Sequence, residues 1–175
     1  MRILLVVAVA SLSLISLMNC GMPMPTTCTS GTCSDAGLVI NELAGTGADF
    51  VELFNATDSE MDLSGFGLTD MDDAGIRYAT ALRFGNGTTI AARGYFTVLL
   101  ESDCPTTVTP CVRGEFGISQ GNGDTLTLLD AQNGTVAQQA YPANAASTGS
   151  SWARTYDGAP MFEVQRRSPG AKNAP

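Results

Sequence analysis

Two hydropathy patterns divide the chain. Residues Ile3 to Met18 form an apolar run relieved only by Ser11, Ser13 and Ser16. From Gly37 onward, apolar residues alternate with polar ones or come in short runs, and Gly, Asn, Asp and Thr interrupt them every several residues. Short runs of period two predict strands, not helices. The runs are Leu38–Leu43, Phe50–Phe54, Phe66–Thr69, Leu82–Phe84, Tyr95–Glu101, Thr125–Leu129, Val136–Tyr141 and Ser151–Thr155. Tyr95 to Leu100 is aromatic and β-branched at high density, a strong strand signal. In the run from Thr125, Leu126 and Leu128 are expected to face the core, with Thr125 and Thr127 outward. Asn133-Gly134 favours positive φ and predicts a hairpin joining that run to the next. Many short strands between turn signals predict an all-β sandwich or barrel.

The N-terminal run is shorter than the roughly 20 residues a spanning helix needs. Arg2 is the only charge before Asp35. One cation, a short apolar core and small residues read as a signal peptide over residues 1–19. Leu17-Met18-Asn19-Cys20-Gly21 resembles a bacterial lipobox, with Asn19 departing from the usual small residue. That resemblance implies cleavage before Cys20, lipid on its sulfur, and a protein exported and membrane-anchored. Gly21 in place of Asp implies the outer membrane or cell surface if the cell is Gram-negative. Residues 20–36 form a tether whose Met22-Pro23-Met24-Pro25 stretch excludes helix and central strand.

Five cysteines are present: Cys20, Cys28, Cys33, Cys104 and Cys111. With lipid on Cys20, four remain to pair, and three pairings are possible in principle. Short spacings favour two locally closed loops, Cys28–Cys33 and Cys104–Cys111. A four-cysteine zinc site is the rival reading, which an oxidising compartment and the wider second spacing oppose. The net charge is −8 and the chain has no His. Ser-His-Asp and Cys-His nucleophiles and His-based metal sites are therefore excluded, and the acidity argues against nucleic-acid binding.

Six segments resemble, in order, pieces of the lamin tail domain family. They are Leu38-Val39-Ile40-Asn41-Glu42-Leu43, Asp49 to Asn55, Asp62 to Asp70, Thr89 to Tyr95, Ser151-Trp152-Ala153-Arg154 and Ser168-Pro169-Gly170-Ala171-Lys172-Asn173. Ala92 and Arg93 replace the family's usual small residue and Gly. The resemblance spans residues 37–173 and implies an immunoglobulin-like β-sandwich over that range, preceded by the signal peptide and tether.

Candidate chemistry is sparse. Glu42 and Glu52 are acid–base candidates, but both are expected to be outward-facing strand residues with no catalytic companion. Asp70, Asp72 and Asp73 are calcium candidates. A full loop needs an oxygen ligand where Ala74 stands and a bidentate Glu where Ala81 stands, so a solvated acidic turn is expected. The sequons at Asn55, Asn86 and Asn133 read as turns. Trp152 reads as a core anchor. The expected function is a lipid-anchored, exported, non-catalytic binding or structural module of the bacterial cell envelope. It needs no cofactor; its partners are the membrane, through Cys20, and an envelope protein or glycan. The alternative is a metal-dependent or carboxylate-based hydrolase or its accessory domain. Its loops, expected at Met71–Ala81, Ser102–Phe116 and Tyr141–Ser150, are the candidate contact surface.

Overall fold

Apolar alternation over short runs leaves no amphipathic helical stripe. Accordingly, the computed structural model contains strands and turns throughout its described residues, 37–71 and 82–174. Cys20, Cys28, Cys33, Asp72 and Asp73 lie outside the described residues. The strands are β1 (Leu38–Ala44), β2 (Asp49–Asn55), β3 (Met61–Asp62), β4 (Gly67–Thr69), β5 (Leu82–Arg83) and β6 (Thr89–Ile90). They continue with β7 (Tyr95–Leu100), β8 (Cys111–Gly114), β9 (Asp124–Leu129), β10 (Thr135–Tyr141), β11 (Ser150–Arg154) and β12 (Phe162–Arg166).

A six-stranded sheet runs β12-β11-β1-β2-β7-β8, and a four-stranded sheet runs β10-β9-β4-β5. The small pair β3-β6 sends the adjoining Leu63 and Ile90 into the core. Ile40, Leu53, Phe96 and Val98 of the larger sheet meet Leu68, Leu126 and Leu128 of the smaller. Each such fully buried side chain contributes roughly 1.5–3 kcal/mol through its removal from water. Phe84 and Phe96 add a tilted ring pair with centroids 5.0 Å apart. Two layers with a shared apolar interior make an all-β, immunoglobulin-like sandwich.

All eight predicted runs contain strands, and the Asn133-Gly134 hairpin forms, with Asn133 at φ 68° and Asp130 Oδ1 accepting from the Gly134 N–H at 2.6 Å. Thr127 does stand on the face opposite Leu126 and Leu128. It is nevertheless buried, capped by the Gln138 amide at 3.1 Å. Trp152 is only half-buried; it packs at the margin of the core and stacks on Phe162 at 6.0 Å. Part of the segment read as the loop Ser102–Phe116 is strand β8, paired parallel to β7. β12 pairs with β11 where no strand was expected.

Period two gives the larger sheet a second apolar face. Phe50, Leu99 and Ala44 point away from the sandwich interior yet are buried, with Cys104 and Cys111 packed against them. The segment after β12 crosses this outer face. Its Arg167 guanidinium sits 4.8 Å from the Phe50 ring and donates to the carbonyls of Thr46 (2.8 Å) and Ala48.

Candidate functional site

The outer face also carries the two candidate acids. β1 and β2 are antiparallel, with Glu42 directly opposite Glu52. A β-bulge between Ile40 and Glu42 inserts Asn41, and bulges re-aim side chains in this way. Asn41 and Glu42 both bond to groups above the same face.

Both glutamates are fully buried, which corrects the expectation that they face solvent. They do point outward from the sheet, but the C-terminal segment covers them. Glu42 accepts from the Ser168 N–H at 2.9 Å and from the Ser168 hydroxyl at 2.8 Å. Glu52 accepts from the Gly170 N–H at 2.7 Å and from the Asn41 amide at 3.0 Å. The same Asn41 amide donates to Asp157 at 3.1 Å, and the Asn41 side-chain oxygen Oδ1 accepts from the Gly158 N–H at 3.1 Å. Asp157 also receives the Tyr95 hydroxyl at 2.6 Å and the Asn173 N–H at 3.0 Å. Asn173 in turn donates to the Arg154 carbonyl at 2.9 Å.

Three carboxyl groups thus share one cluster, Glu42 and Glu52 fully buried and Asp157 half-buried at its margin. Burial pushes the Glu52 pKa up to about 8, and the charges of Glu42 and Asp157 add to the rise; the donors Asn41 and Gly170 oppose it without cancelling it. Burial and the hydrogen bond to Asp157 raise the Tyr95 pKa as well. The nearby Arg154 is spent on carbonyls, donating to Ile40 at 2.7 Å and to Ala159. The cluster therefore does structural work: it anchors residues 168–173 to the sheet. An acid–base or hydrolytic centre needs a route for substrate and water to its carboxylates, and here the C-terminal segment occupies that position.

Asp70 does not join them. It follows β4 in the smaller sheet, and the charge nearest in effect is Asp124. It is not the solvated residue expected: it is buried, and its Oδ1 has no hydrogen-bond partner among the described residues. Burial, then the Asp124 charge, raises its pKa to about 6. Among the described residues, no three His, Cys, Asp or Glu side chains gather so as to hold a metal ion.

Elsewhere, a pocket of about 260 Å³ is lined by Leu38, Met61, Leu63, Phe66 and Val136. Its two acids are committed to turns. Asp62 accepts from the Ser64 N–H at 2.8 Å, and Asp130 from the Gln132 N–H at 2.9 Å. Cys104 and Cys111 are joined as a disulfide with α-carbons 5.9 Å apart. Val108, inside that loop, lies against Gly170 of the C-terminal segment.

Asn41, Tyr95, Asp157, Ser168, Gly170 and Asn173 escaped sequence reasoning as members of one site. The available signal was a polar pair, Asn41-Glu42, inside an otherwise apolar run, since buried polar groups require partners. The residues bearing the family resemblance at the first, second and last segments are the ones this cluster joins.

A search of curated proteins returns no match to the chain. The family model described as Lamin Tail Domain matches residues 33–143, well over half of the sequence. The match ends just past β10; β11, β12 and the C-terminal segment lie beyond it but hydrogen-bond into the same larger sheet. With its immunoglobulin-like sandwich and this match, the chain belongs to the lamin tail domain family.

Proposed function

We propose that this protein is a non-catalytic binding or structural module of the bacterial cell envelope, exported and held at a membrane by lipid on Cys20. The observation that carries the non-catalytic part is the fate of the carboxylates: Glu42, Glu52 and Asp157 spend their oxygens on internal donors beneath the C-terminal segment. Family membership supports the same reading, because the family is a non-enzymatic immunoglobulin-like module. The anchoring part rests on the apolar N-terminal run ending at Leu17-Met18-Asn19-Cys20 and on the odd cysteine count. A tether of Pro- and Thr-rich sequence would hold the domain off the bilayer. Recognition of an envelope protein or glycan is assigned to the loops, foremost residues 104–111, whose bridge pre-orders them and reduces the entropy lost on binding.

Mass spectrometry of the mature protein from membranes tests the anchor. A diacylglycerol-bearing N-terminal Cys20, lost in Cys20→Ser, is the expected result, and an unmodified N-terminus would end the reading. Purified protein should leave nucleic acid, phosphoesters and glycans intact. Hydrolysis abolished by Glu52→Gln would establish the hydrolase alternative instead.

A further inference from the structure

Among the described residues, the large apolar side chains most exposed to solvent are Tyr156 (61%), Met161 (68%) and Val164 (54%). All three lie in the hairpin formed by β11 and β12. β12 is also the outermost strand of the six-stranded sheet. Edge strands normally carry devices that block further pairing: Pro, charged side chains (Lys above all), a bulge, extreme shortness or a covering segment. β12 carries the charges Glu163 and Arg166, but it has no internal Pro or Lys and no bulge, and no strand among the described residues pairs with its outer side. Its register with β11 is unbroken from Ser150 opposite Arg166 to Arg154 opposite Phe162, and its sequence is Phe-Glu-Val-Gln-Arg.

The hydrogen-bond phase of the hairpin shows which groups are free. Thr155 N–H donates to the Met161 carbonyl and Arg167 N–H to the Gly149 carbonyl. The odd-numbered residues of β12 therefore bond inward to β11. Phe162, Val164 and Arg166 direct their N–H and C=O groups to the open edge, as antiparallel alternation requires.

We propose that two copies of this chain pair antiparallel along β12, with Val164 on the two-fold axis. In this register the free backbone groups of Val164 meet those of the partner's Val164, and Phe162 stands opposite the partner's Arg166. All three edge residues then satisfy their N–H and C=O groups, and the two larger sheets become one. The side chains agree with the backbone. Val164 packs on its own copy across the axis, beside Trp152. Phe162 already takes the Arg154 guanidinium at 4.8 Å, and the partner's Arg166 supplies a second cation to its ring. Antiparallel pairing sets Glu163 opposite the partner's neutral Gln165 and Arg166 opposite Phe162, so no like charges face each other; in-register parallel pairing would set Glu163 on Glu163 and Arg166 on Arg166. The pairing is isologous and closes as a dimer without propagating.

An edge contact of this kind is small, so its dissociation constant belongs in the micromolar range. Sedimentation of the full chain over increasing concentration is expected to show a monomer–dimer equilibrium. Val164→Lys places two ammonium groups on the axis and should abolish the dimer while leaving the circular dichroism and Tm of the monomer unchanged. Under mild oxidation Val164→Cys should cross-link two chains through the introduced thiols, and Glu163→Cys, off the axis, should not. A wild-type chain that stays monomeric at high micromolar concentration would overturn the proposal. So would a dimer indifferent to Val164→Lys, or an edge that captures only an unrelated extended peptide.

Discussion

Glu42 and Glu52 face each other across β1 and β2, and each accepts a hydrogen bond from the same C-terminal turn, through Ser168 and Gly170 respectively. The juxtaposition has a pH consequence. Glu52 has its pKa raised from 4.5 to about 8 by burial, with Glu42 contributing. Between those values the folded state holds a proton that the unfolded chain has released. Stability is therefore full below about pH 4.5 and declines as pH rises to about 8. Glu52→Gln keeps the side chain neutral throughout. Its stability should fall less steeply across this window, by at most one proton, or about 1.4 kcal/mol per pH unit. Urea unfolding of both proteins at about pH 5 and about pH 8 measures the difference. Parallel slopes would show that Glu52 is ionised in the native state.

The C-terminal turn should matter in proportion to the donors it supplies. Truncation after Arg167 removes the partners of Glu42 and one of the two donors to Glu52, and exposes the cluster. With the hydrogen bonds from Ser168, Gly170 and Asn173 lost at roughly 1 kcal/mol each, a loss of about 3–5 kcal/mol is expected. Ser168→Ala removes one hydroxyl donor to a carboxylate and should cost about 1.5–3 kcal/mol. In Gly170→Ala the added methyl would meet Val108 at 3.5 Å, an ordinary contact, so space is not the obstacle. Backbone is: Gly170 sits at φ 78°, where a Cβ costs roughly 1–2 kcal/mol. Denaturant midpoints should rank the truncation well below both substitutions. A neutral truncation would show that the turn merely rests on the sheet.

The larger strands were legible because burial on one or both faces writes a pattern into sequence: Tyr95 to Leu100 and Phe50 to Phe54 are apolar enough to announce themselves. β8 was not, because Cys-Val-Arg-Gly is short, mostly half-buried and paired parallel at an edge, so it shows no sustained apolar alternation. β12 does alternate, as Phe162-Glu163-Val164-Gln165, but its apolar side chains are not fully covered, and Pro160 just before it reads as punctuation. Beyond the polar pair Asn41-Glu42, the carboxylate cluster was hidden for a different reason. Alternation showed that Glu42 and Glu52 leave the sandwich interior, and from that alone they would be solvated. What buries them is a segment more than a hundred residues away in sequence, bonded through backbone N–H groups that no side-chain pattern encodes.

The Cys104–Cys111 bridge should be supportive without being essential. It closes a loop with a sequence separation of 7 and packs against Phe50 and Leu99 on the outer face, apart from the main core between the sheets. Replacing both cysteines with Ser is expected to cost about 2–3 kcal/mol, as short closed loops do, while the circular dichroism spectrum stays that of a folded β protein. Non-reducing peptide mapping of the wild type should link residue 104 to 111. A peptide joining either of them to Cys28 or Cys33 would refute local pairing.

Asp70 provides a stability prediction with a built-in discriminator. Its buried Oδ1 has no partner among the described residues, and burial with the Asp124 charge raises its pKa from 3.8 to about 6. The sign follows from the raised value. Stability is full below about 3.8, is lost progressively up to about 6, and stays reduced above that, because the native state then carries a poorly solvated charge. Asp70→Asn is nearly isosteric and never ionises. It should therefore raise Tm near neutral pH and change it little in acid. A calcium ion at this carboxylate would reverse the result: the charge would be compensated, added calcium would raise the wild-type Tm, and Asp70→Asn would lower it and remove the response. Thermal melts of both proteins, with calcium and with chelator, separate the two cases. The uncompensated carboxylate predicts a wild-type Tm that calcium does not move and a more stable Asn variant.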